Sequence, residues 1–186
     1  MADATRKARR PPPQPPEPPG REAAIEIALR FLGSRPRSRW ELERRLRRAG
    51  AGDEVIVATL ERLSAMGYLD DAAFVSWWAE QRDRNAPRGR RMLEAELRQR
   101  GVPREVIEAH REAAPAAQRA PDDEALPETD EERARVALER HLRGRPLPTD
   151  PKALQRVGMF LMRRGFDSET VRAALRGGGA TEAGNG

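Results

Sequence analysis

The 186-residue sequence contains no cysteine, which excludes disulfide bonds, thiolate nucleophiles and cysteine-ligated zinc sites. Aromatic residues make up only 4% of the chain, and no apolar run approaches the roughly 18 residues that a membrane-spanning helix requires. The N-terminus lacks the apolar segment of a secretory signal. These absences together predict a cytoplasmic protein that does not insert into a membrane.

Lysine is also scarce, because Lys7 and Lys152 are the only two among 35 basic residues. Charged residues nevertheless form 35% of the chain, against about 25% in ordinary globular proteins. The net charge is about +2 over 1–20, +4 over 21–111, −7 over 112–132 and +7 over 133–176. Arginine binds phosphate and carboxylate groups bidentately, so an acidic partner is one interpretation of this pattern. A GC-rich genome would produce the same arginine excess without any function.

Three segments share the pattern Leu-x-x-x-Gly, followed by an apolar residue six positions after the glycine. The glycines are Gly50, Gly101 and Gly165, and each follows an arginine-containing stretch with helical periodicity. A glycine just past a helix end adopts a positive φ without steric cost, so each pattern predicts two helices joined by a tight turn. A third helix is predicted upstream of each pair, over 24–32, 72–82 and 131–142. No strand-like alternation is sustained anywhere, so the sequence predicts an all-α chain of three three-helix repeats.

Capping signals mark several helix starts. Ser38 with Glu41, and Thr129 with Glu132, have the spacing of capping boxes. Pro151 stands where the first turn of a helix tolerates proline, and Pro103 is expected in a similar position. These signals place helix starts independently of the glycine pattern.

The chain divides into six predicted segments. Seven prolines between Pro11 and Pro19 prevent helix formation and sheet pairing, and the final GGGATEAGNG cannot bury enough apolar surface to be ordered. The segments are a disordered Pro-rich basic tail (1–21), repeat 1 (22–69), repeat 2 (70–111), an acidic linker (112–129), repeat 3 (130–176) and a disordered tail (177–186).

The stretch MGYLDDAAF, residues 66–74, places two adjacent carboxylates at the boundary of repeats 1 and 2. We expect Gly67 to end one helix, and one of the two aspartates to cap the next by accepting its free backbone N–H groups. A metal-binding or acid–base pair is the alternative, but the sequence places no histidine or third carboxylate nearby. The residues expected at the seam between the repeats are Tyr68, Leu69, Asp70, Asp71 and Phe74.

The residues of these repeats resemble the RecX family, regulators of the RecA recombinase. The matching stretches are SRWELERRLRRAG, VIVATLERLSAMGYLDDAAFVSWWAEQR, RGRRMLEAELRQRGVPREVIEA and FLMRRGFDSETVRAAL. The resemblance covers 24–175 except the acidic linker, which departs from the family pattern, as does the Pro-rich tail. It implies three tandem three-helix repeats in an elongated, curved array. It also implies a monomeric, non-enzymatic protein of DNA repair, recombination and the SOS response, which binds the RecA filament and mainly inhibits it.

Three arginine clusters are candidate contacts for an acidic partner. The PRGRR turn opens a helix in which only Glu94 is placed to neutralise its arginines. In RRLRR we expect Arg45 to pair with Glu41, while its neighbours are equally consistent with a solvated face or a binding face. The third cluster ends a helix, where the helix dipole alone favours cations. The candidate contact residues are Arg88, Arg90, Arg91, Arg44, Arg47, Arg48, Arg163 and Arg164.

The tryptophans and histidines give weaker signals. Trp77 and Trp78 could stack on bases, but their helical stripe with Phe74 favours a core or seam position. His110 and His141 are the only histidines and lie in different repeats, so we expect no metal site, and we expect His141 to be packed on an apolar stripe. No glycine-rich phosphate loop, nucleophile elbow or His-Glu-x-x-His motif occurs, so we predict neither enzyme activity nor a cofactor.

Three functions are therefore open from the sequence. The first is a regulator whose arginine-bearing faces meet an acidic recombinase surface, the phosphates of single- or double-stranded DNA, or both. The second is a nucleic-acid-binding helical module whose repeats act like helix-turn-helix readers. The third is a structural adaptor whose arginines only maintain solubility.

Overall fold

The computed structural model describes residues 17–113, 127 and 129–177, and the regular secondary structure in these ranges is all α-helix, with no strand. This confirms the predicted all-α fold of three three-helix repeats. None of the described helices is long and apolar enough to cross a membrane. The helices are α1 (Arg21–Leu32), α2 (Arg39–Arg48), α3 (Asp53–Ala65), α4 (Asp71–Asn85), α5 (Arg90–Gln99), α6 (Arg104–Glu112), α7 (Asp130–Leu142), α8 (Pro151–Arg163) and α9 (Ser168–Gly177).

The predicted tails and linker fall mainly outside this description. Residues 1–16 of the N-terminal tail, 114–126 and 128 of the acidic linker, and 178–186 of the C-terminal tail are outside the described residues. Helices α1 and α9 each extend by one residue into a segment predicted as a tail.

The repeated glycine motif forms the same turn in every repeat. Gly50, Gly101 and Gly165 have φ values of +86°, +70° and +90°. The next backbone N–H donates to the carbonyl of the motif leucine, which closes the helix end. In each repeat the motif leucine and the apolar residue six positions after the glycine are both buried: Leu46 with Ile56, Leu97 with Ile107, and Leu161 with Val171. The motif therefore folds two helices onto one core.

Each repeat has a hydrophobic core of its own. Among the described residues, no cluster of buried apolar side chains extends from one repeat into another. Polar contacts and close backbone approaches must therefore join the repeats. The buried residues at the centres of the three cores include Leu42, Leu46 and Leu63 in repeat 1, Phe74 and Leu97 in repeat 2, and Leu138 and Leu161 in repeat 3.

Both joints between repeats use an aspartate that begins a helix. Asp71 accepts a hydrogen bond of 2.8 Å from the backbone N–H of Arg39, at the start of α2 in the preceding repeat. Asp130 accepts one of 3.0 Å from the backbone N–H of Arg90, at the start of α5. Each aspartate thus supplies a partner to a helix-start N–H group in the neighbouring repeat. The residues immediately before these aspartates, Asp70 and Thr129, cap their own helices.

Each joint contains a second contact at the start of the same helix. The Ser38 hydroxyl donates to the carbonyl of Arg100 at 2.5 Å, and the backbone N–H of Gly89 donates to the carbonyl of Arg164 at 2.9 Å. Arg100 and Arg164 occupy equivalent positions, directly before the motif glycine. The two joints therefore have the same construction, in which the start of one second helix meets the end of the next.

Glycine permits this close approach. A Cβ atom on Gly101 would collide with the side chain of Trp40, and one on Gly89 would collide with the backbone of Gly165. Gly101 and Gly165 therefore have two roles, because each adopts the positive φ of its own turn and leaves room for the preceding repeat.

The second joint also contains a buried ion pair. Arg133 Nε lies 2.9 Å from Asp83 Oδ1, and these side chains are 17% and 5% exposed. Arg133 Nη1 also lies 3.4 Å from Asp130 Oδ1, the carboxylate group that receives the Arg90 N–H. Arg133 thereby connects the end of α4 to the start of α7.

We expect Gly101→Ala to destabilise the protein more than Gly67→Ala does. Both glycines have a positive φ, so each alanine carries a backbone cost of about 1 kcal/mol. Nothing lies within 4 Å of a Cβ at residue 67, whereas one at residue 101 meets Trp40 and adds about 1–3 kcal/mol of overpacking. Urea unfolding of the two variants measures the difference, and equal losses would show that Trp40 does not constrain residue 101.

We expect Asp83→Ala to reduce the free energy of unfolding by about 3 kcal/mol, because it leaves Arg133 buried without its main partner. This is the low end for buried ion pairs, since Asp130 still contacts Arg133. The double variant Asp83→Leu with Arg133→Met should recover most of the loss, because it removes both charges of the Asp83–Arg133 pair together. A double variant no more stable than Asp83→Ala would contradict this account in thermal or urea unfolding.

Candidate partner-binding surfaces

Glu41 pairs with a different arginine from the one predicted. The expected partner was Arg45, but the carboxylate faces Arg35 at 3.1 Å and Arg100 of repeat 2 at 2.7 Å. Glu41 can reach across the joint because α2 starts against the end of α5. The Arg100 guanidinium group also lies 3.7 Å from the ring centroid of Trp78. These arginines hold the joint together and are not available to a partner.

The PRGRR turn does not offer three free arginines, as the sequence had suggested. Arg88 Nε lies 3.6 Å from Glu96 Oε1, and the Arg88 side chain is only 28% exposed. Glu96 also pairs with Arg82 at 2.6 Å, while the expected counter-charge, Glu94, pairs with Arg98 instead. The expectation that only Glu94 is placed to neutralise this turn was wrong, because Glu96, eight residues after Arg88 in sequence, lies close enough to pair with it.

Arg90 and Arg91, the other arginines of this turn, are exposed. Neither side chain is ion-paired with a carboxylate among the described residues. The first turn of α5 contains no acidic residue, so both cations lie at the unfavourable end of the helix dipole. Their presence there does not contribute to helix stability, which makes them candidates for contact with an acidic partner.

The RRLRR cluster is divided in the same way. Arg47 bridges Glu43 at 2.9 Å and Asp53 at 3.2 Å, so its charge is neutralised within repeat 1. Arg44 is exposed, and its guanidinium group lies 4.5 Å from the Trp40 ring centroid. Arg48 is exposed and donates to the carbonyl of Arg44. Arg44 and Arg48 are the candidates from this cluster that no described carboxylate neutralises.

Arg163 and Arg164 occupy different environments. Arg163 is exposed. Arg164 is half-buried at the second joint, where it donates to the carbonyl of Pro87 at 3.2 Å and lies over the ring of Phe160. Burial lowers the pKa of Arg164 from its usual value, and the nearby positive charges of Arg88 and Arg140 lower it further.

The residues expected at the seam of repeats 1 and 2 separate into three groups. Tyr68 is 57% exposed, so the expectation that it fills the seam was wrong, because the turn after Gly67 directs it outward. Leu69 lies in the core of repeat 1 and Phe74 in the core of repeat 2. Asp71 forms the joint contact, whereas the neighbouring Asp70 caps its own helix, α4. Burial raises the pKa of Asp71, and the hydrogen bond from the Arg39 N–H opposes that rise.

The tryptophans pack inside the protein. Trp78 is buried in the core of repeat 2, where Trp77 packs against it, and the indole N–H of Trp78 donates to Glu96 at 3.0 Å.

The two histidines do not form a metal site. Burial lowers the pKa of His110, and the positive charge of Arg133 lowers it further. His141 is exposed, contrary to expectation, although one face of its ring stacks on Phe160 with a centroid distance of 3.9 Å. In the described ranges no group of three or more potential ligands is placed to hold a metal ion.

Repeat 3 contains exposed arginines that the sequence analysis did not select. Arg140, Arg143 and Arg145 surround the end of α7, and Arg156 lies on α8. The sequence signal for them was the charge of about +7 over 133–176, where carboxylates are few. They line surface clefts that depend on how α7, α8 and the intervening loop pack.

Comparison with known proteins identifies the three repeats individually. Residues 24–63, 70–110 and 128–175 match the first, second and third three-helix domains of RecX. The regulatory protein RecX of Chlorobaculum tepidum is 34% identical over 84% of this chain and 88% of its own length. That of Thermobifida fusca is 38% identical over 86% of this chain and 84% of its own.

Solved structures agree on the fold. The crystal structure of RecX from Lactobacillus salivarius is 14% identical in sequence, with a TM-score of 0.67 over 84% of this chain and 95% of that one. A second RecX crystal structure gives a TM-score of 0.63 at 18% identity over 84% of this chain and 73% of that one. All three repeats match in order, and the similarity to the curated relatives runs through most of both chains. The chain therefore belongs to the RecX family of regulatory proteins.

Proposed function

We propose that this protein binds the filament of the RecA recombinase and inhibits its strand-exchange activity. The observation that carries the proposal is membership of the RecX family across all three repeats, since the resemblance of the sequence to that family implies RecA as the partner. The proposal includes a monomeric, non-enzymatic regulator located in the cytoplasm. It also includes repeat limits at 22–69, 70–111 and 130–176.

The modular construction supports a filament as the target. A recombinase filament presents the same surface at regular intervals, and three repeats with the same construction offer several contact sites on one chain. Each additional contact raises the effective affinity without any single contact being strong. Exposed arginines are available in every repeat, including Arg44 in repeat 1, Arg91 in repeat 2 and Arg163 in repeat 3.

We propose that Arg90 and Arg91 contribute the central contact. Both are exposed, neither side chain forms an ion pair with a carboxylate of the described residues, and they lie in the middle repeat next to the second joint. A carboxylate group on the recombinase or a phosphate of its bound DNA would supply the missing negative charge. Arg44, Arg48 and Arg163 are proposed as flanking contacts, whereas the paired side chains of Arg47 and Arg88 have structural roles.

Changing Arg90 and Arg91 together to glutamine should sharply weaken inhibition of RecA-driven strand exchange, with at least about a tenfold rise in the concentration needed. The thermal midpoint should stay constant or rise slightly, because two cations leave a helix N-terminus. Glutamine is preferred to glutamate because Asp130 accepts the backbone N–H of residue 90 and would repel a new carboxylate.

The matched control changes Arg21 and Arg62 to glutamine, which removes the same charge from exposed positions in repeat 1. This control should inhibit strand exchange as the unchanged protein does. If the Arg90 and Arg91 variant folds normally and still inhibits fully, the central contact lies elsewhere. Equal weakening by the control would show that only overall charge matters.

A further inference from the structure

The two outer ends of the repeat array are the complementary halves of a joint. At each internal joint the start of one second helix meets the first helix and the motif turn of the next repeat. In the described part of the chain, no repeat follows the second helix of repeat 3 and none precedes the motif turn of repeat 1. Two copies of this chain would therefore join head to tail if both outer ends carried the joint residues.

The end formed by the start of α8 lacks the donor that each joint uses. At the two joints the first residue of the second helix, Arg39 or Arg90, donates its backbone N–H to an aspartate of the next repeat. The equivalent first residue of α8 is Pro151, which has no backbone N–H. Asp150, directly before it, already accepts the N–H of Ala153 in its own helix at 2.8 Å. An incoming aspartate would find no donor there, and the neighbouring carboxylate group would repel it.

The opposite end, at the start of α1, lacks the acceptor. The joint aspartates, Asp71 and Asp130, are the first residues of α4 and α7, and the equivalent first residue of α1 is Arg21. A guanidinium group has five donors and no acceptor atom, so it cannot receive an N–H group in place of a carboxylate. The acceptor half of the joint is therefore missing from repeat 1.

The motif turn of repeat 1 is also covered differently from the others. At the first joint the side chain of Trp40 lies against Gly101. At the equivalent Gly50 the neighbour is Pro19, which belongs to the segment that leads into α1 of the same repeat. Its Cδ atom lies 3.9 Å from the position that a Cβ on this glycine would occupy. Repeat 1 thus covers part of its own turn and narrows the space that a preceding repeat would fill.

The exposure of these positions follows the same division. Ser38 and Gly89, which precede the second helices at the joints, are buried, whereas Asp150 is exposed. The joint aspartates are half-buried, whereas Arg21 is exposed. A proline at the first position of a helix is common by itself. Here it coincides with a cation at the opposite end, so both halves of the joint are disabled in one chain.

We propose that Pro151 and Arg21 close the two ends of the array against a second copy of this chain, with Pro19 as a further obstacle. A contact between unlike faces of identical copies does not close on itself and extends into a filament. Repeat arrays accordingly need terminal repeats that differ from the inner ones. The inference goes beyond the proposed regulation of RecA, because it concerns only contacts of the protein with itself.

The test restores each half of the joint separately in the full chain. The donor variant combines Asp150→Ser with Pro151→Ala, which returns a backbone N–H and follows the serine of the first joint. The acceptor variant combines Pro19→Gly with Arg21→Asp. Sedimentation velocity over a series of concentrations measures association without RecA, and circular dichroism and the thermal midpoint verify that each variant folds.

We expect a mixture of the two variants to form a one-to-one complex and nothing larger, because each chain then has one open end. Each variant alone should remain monomeric. A chain with all four changes should form assemblies whose average mass rises with concentration. A mixture that stays monomeric while both variants fold normally would overturn the proposal, as would head-to-tail association of the unchanged protein.

Two matched controls separate the joint from general charge attraction. The first keeps Pro151 and changes only Asp150→Ser, so its charge equals that of the donor variant but no N–H is returned. The second combines Pro19→Gly with Arg62→Asp, which makes the same charge change at an exposed position of α3. Either control should weaken the mixed complex at least about tenfold, because the hydrogen bond between an N–H and a carboxylate group is lost. Equal affinity in either control mixture, or equally strong association of one variant alone, would contradict the proposal.

Discussion

The hydrogen bond between a carboxylate group and the first N–H of a helix in the preceding repeat sets the arrangement of this protein. Asp71 makes it to Arg39 and Asp130 makes it to Arg90. Among the described residues no cluster of buried apolar side chains crosses either joint. These bonds, the ion pairs Glu41–Arg100 and Asp83–Arg133, and the close approaches at Gly101 and Gly89 therefore hold the repeats in position. The surroundings of the exposed arginines follow from that arrangement. At each joint, two adjacent polar residues accept hydrogen bonds from two helix starts. The first residue caps its own helix, and the second accepts the N–H of a helix in the preceding repeat.

The fold was predictable because its signals are local. A leucine, a glycine four positions after it and an apolar residue six positions after the glycine specify a helix end, a positive φ and the start of the next buried face. The capping boxes of Ser38 and Thr129 are likewise contained within four residues, and both occur in the structure. Such signals need no long-range contact to be recognised, and the glycine motif occurs three times in this chain.

The candidate site was less predictable because charge pairing depends on tertiary distance. Glu41 is four residues from Arg45, yet it pairs with Arg100, which lies 59 residues away in sequence. Arg88 was expected to have no carboxylate partner, but Glu96 in the second turn of α5 lies close enough to pair with it. The net positive charge over 133–176 indicated the exposed arginines of repeat 3, but the clefts that they line require the packing of α7, α8 and their loop. Exposed and paired arginines look identical until their neighbours in space are known.

The joints also bear on how such a protein changes during evolution. At residues 39 and 90 the joint is formed by a main-chain N–H group, which every residue except proline possesses. The identity of the side chain at these positions is therefore free to vary while the repeats keep their relative placement. Selection can alter the charge of the exposed face, and so the choice of partner, without redesigning the scaffold that presents it.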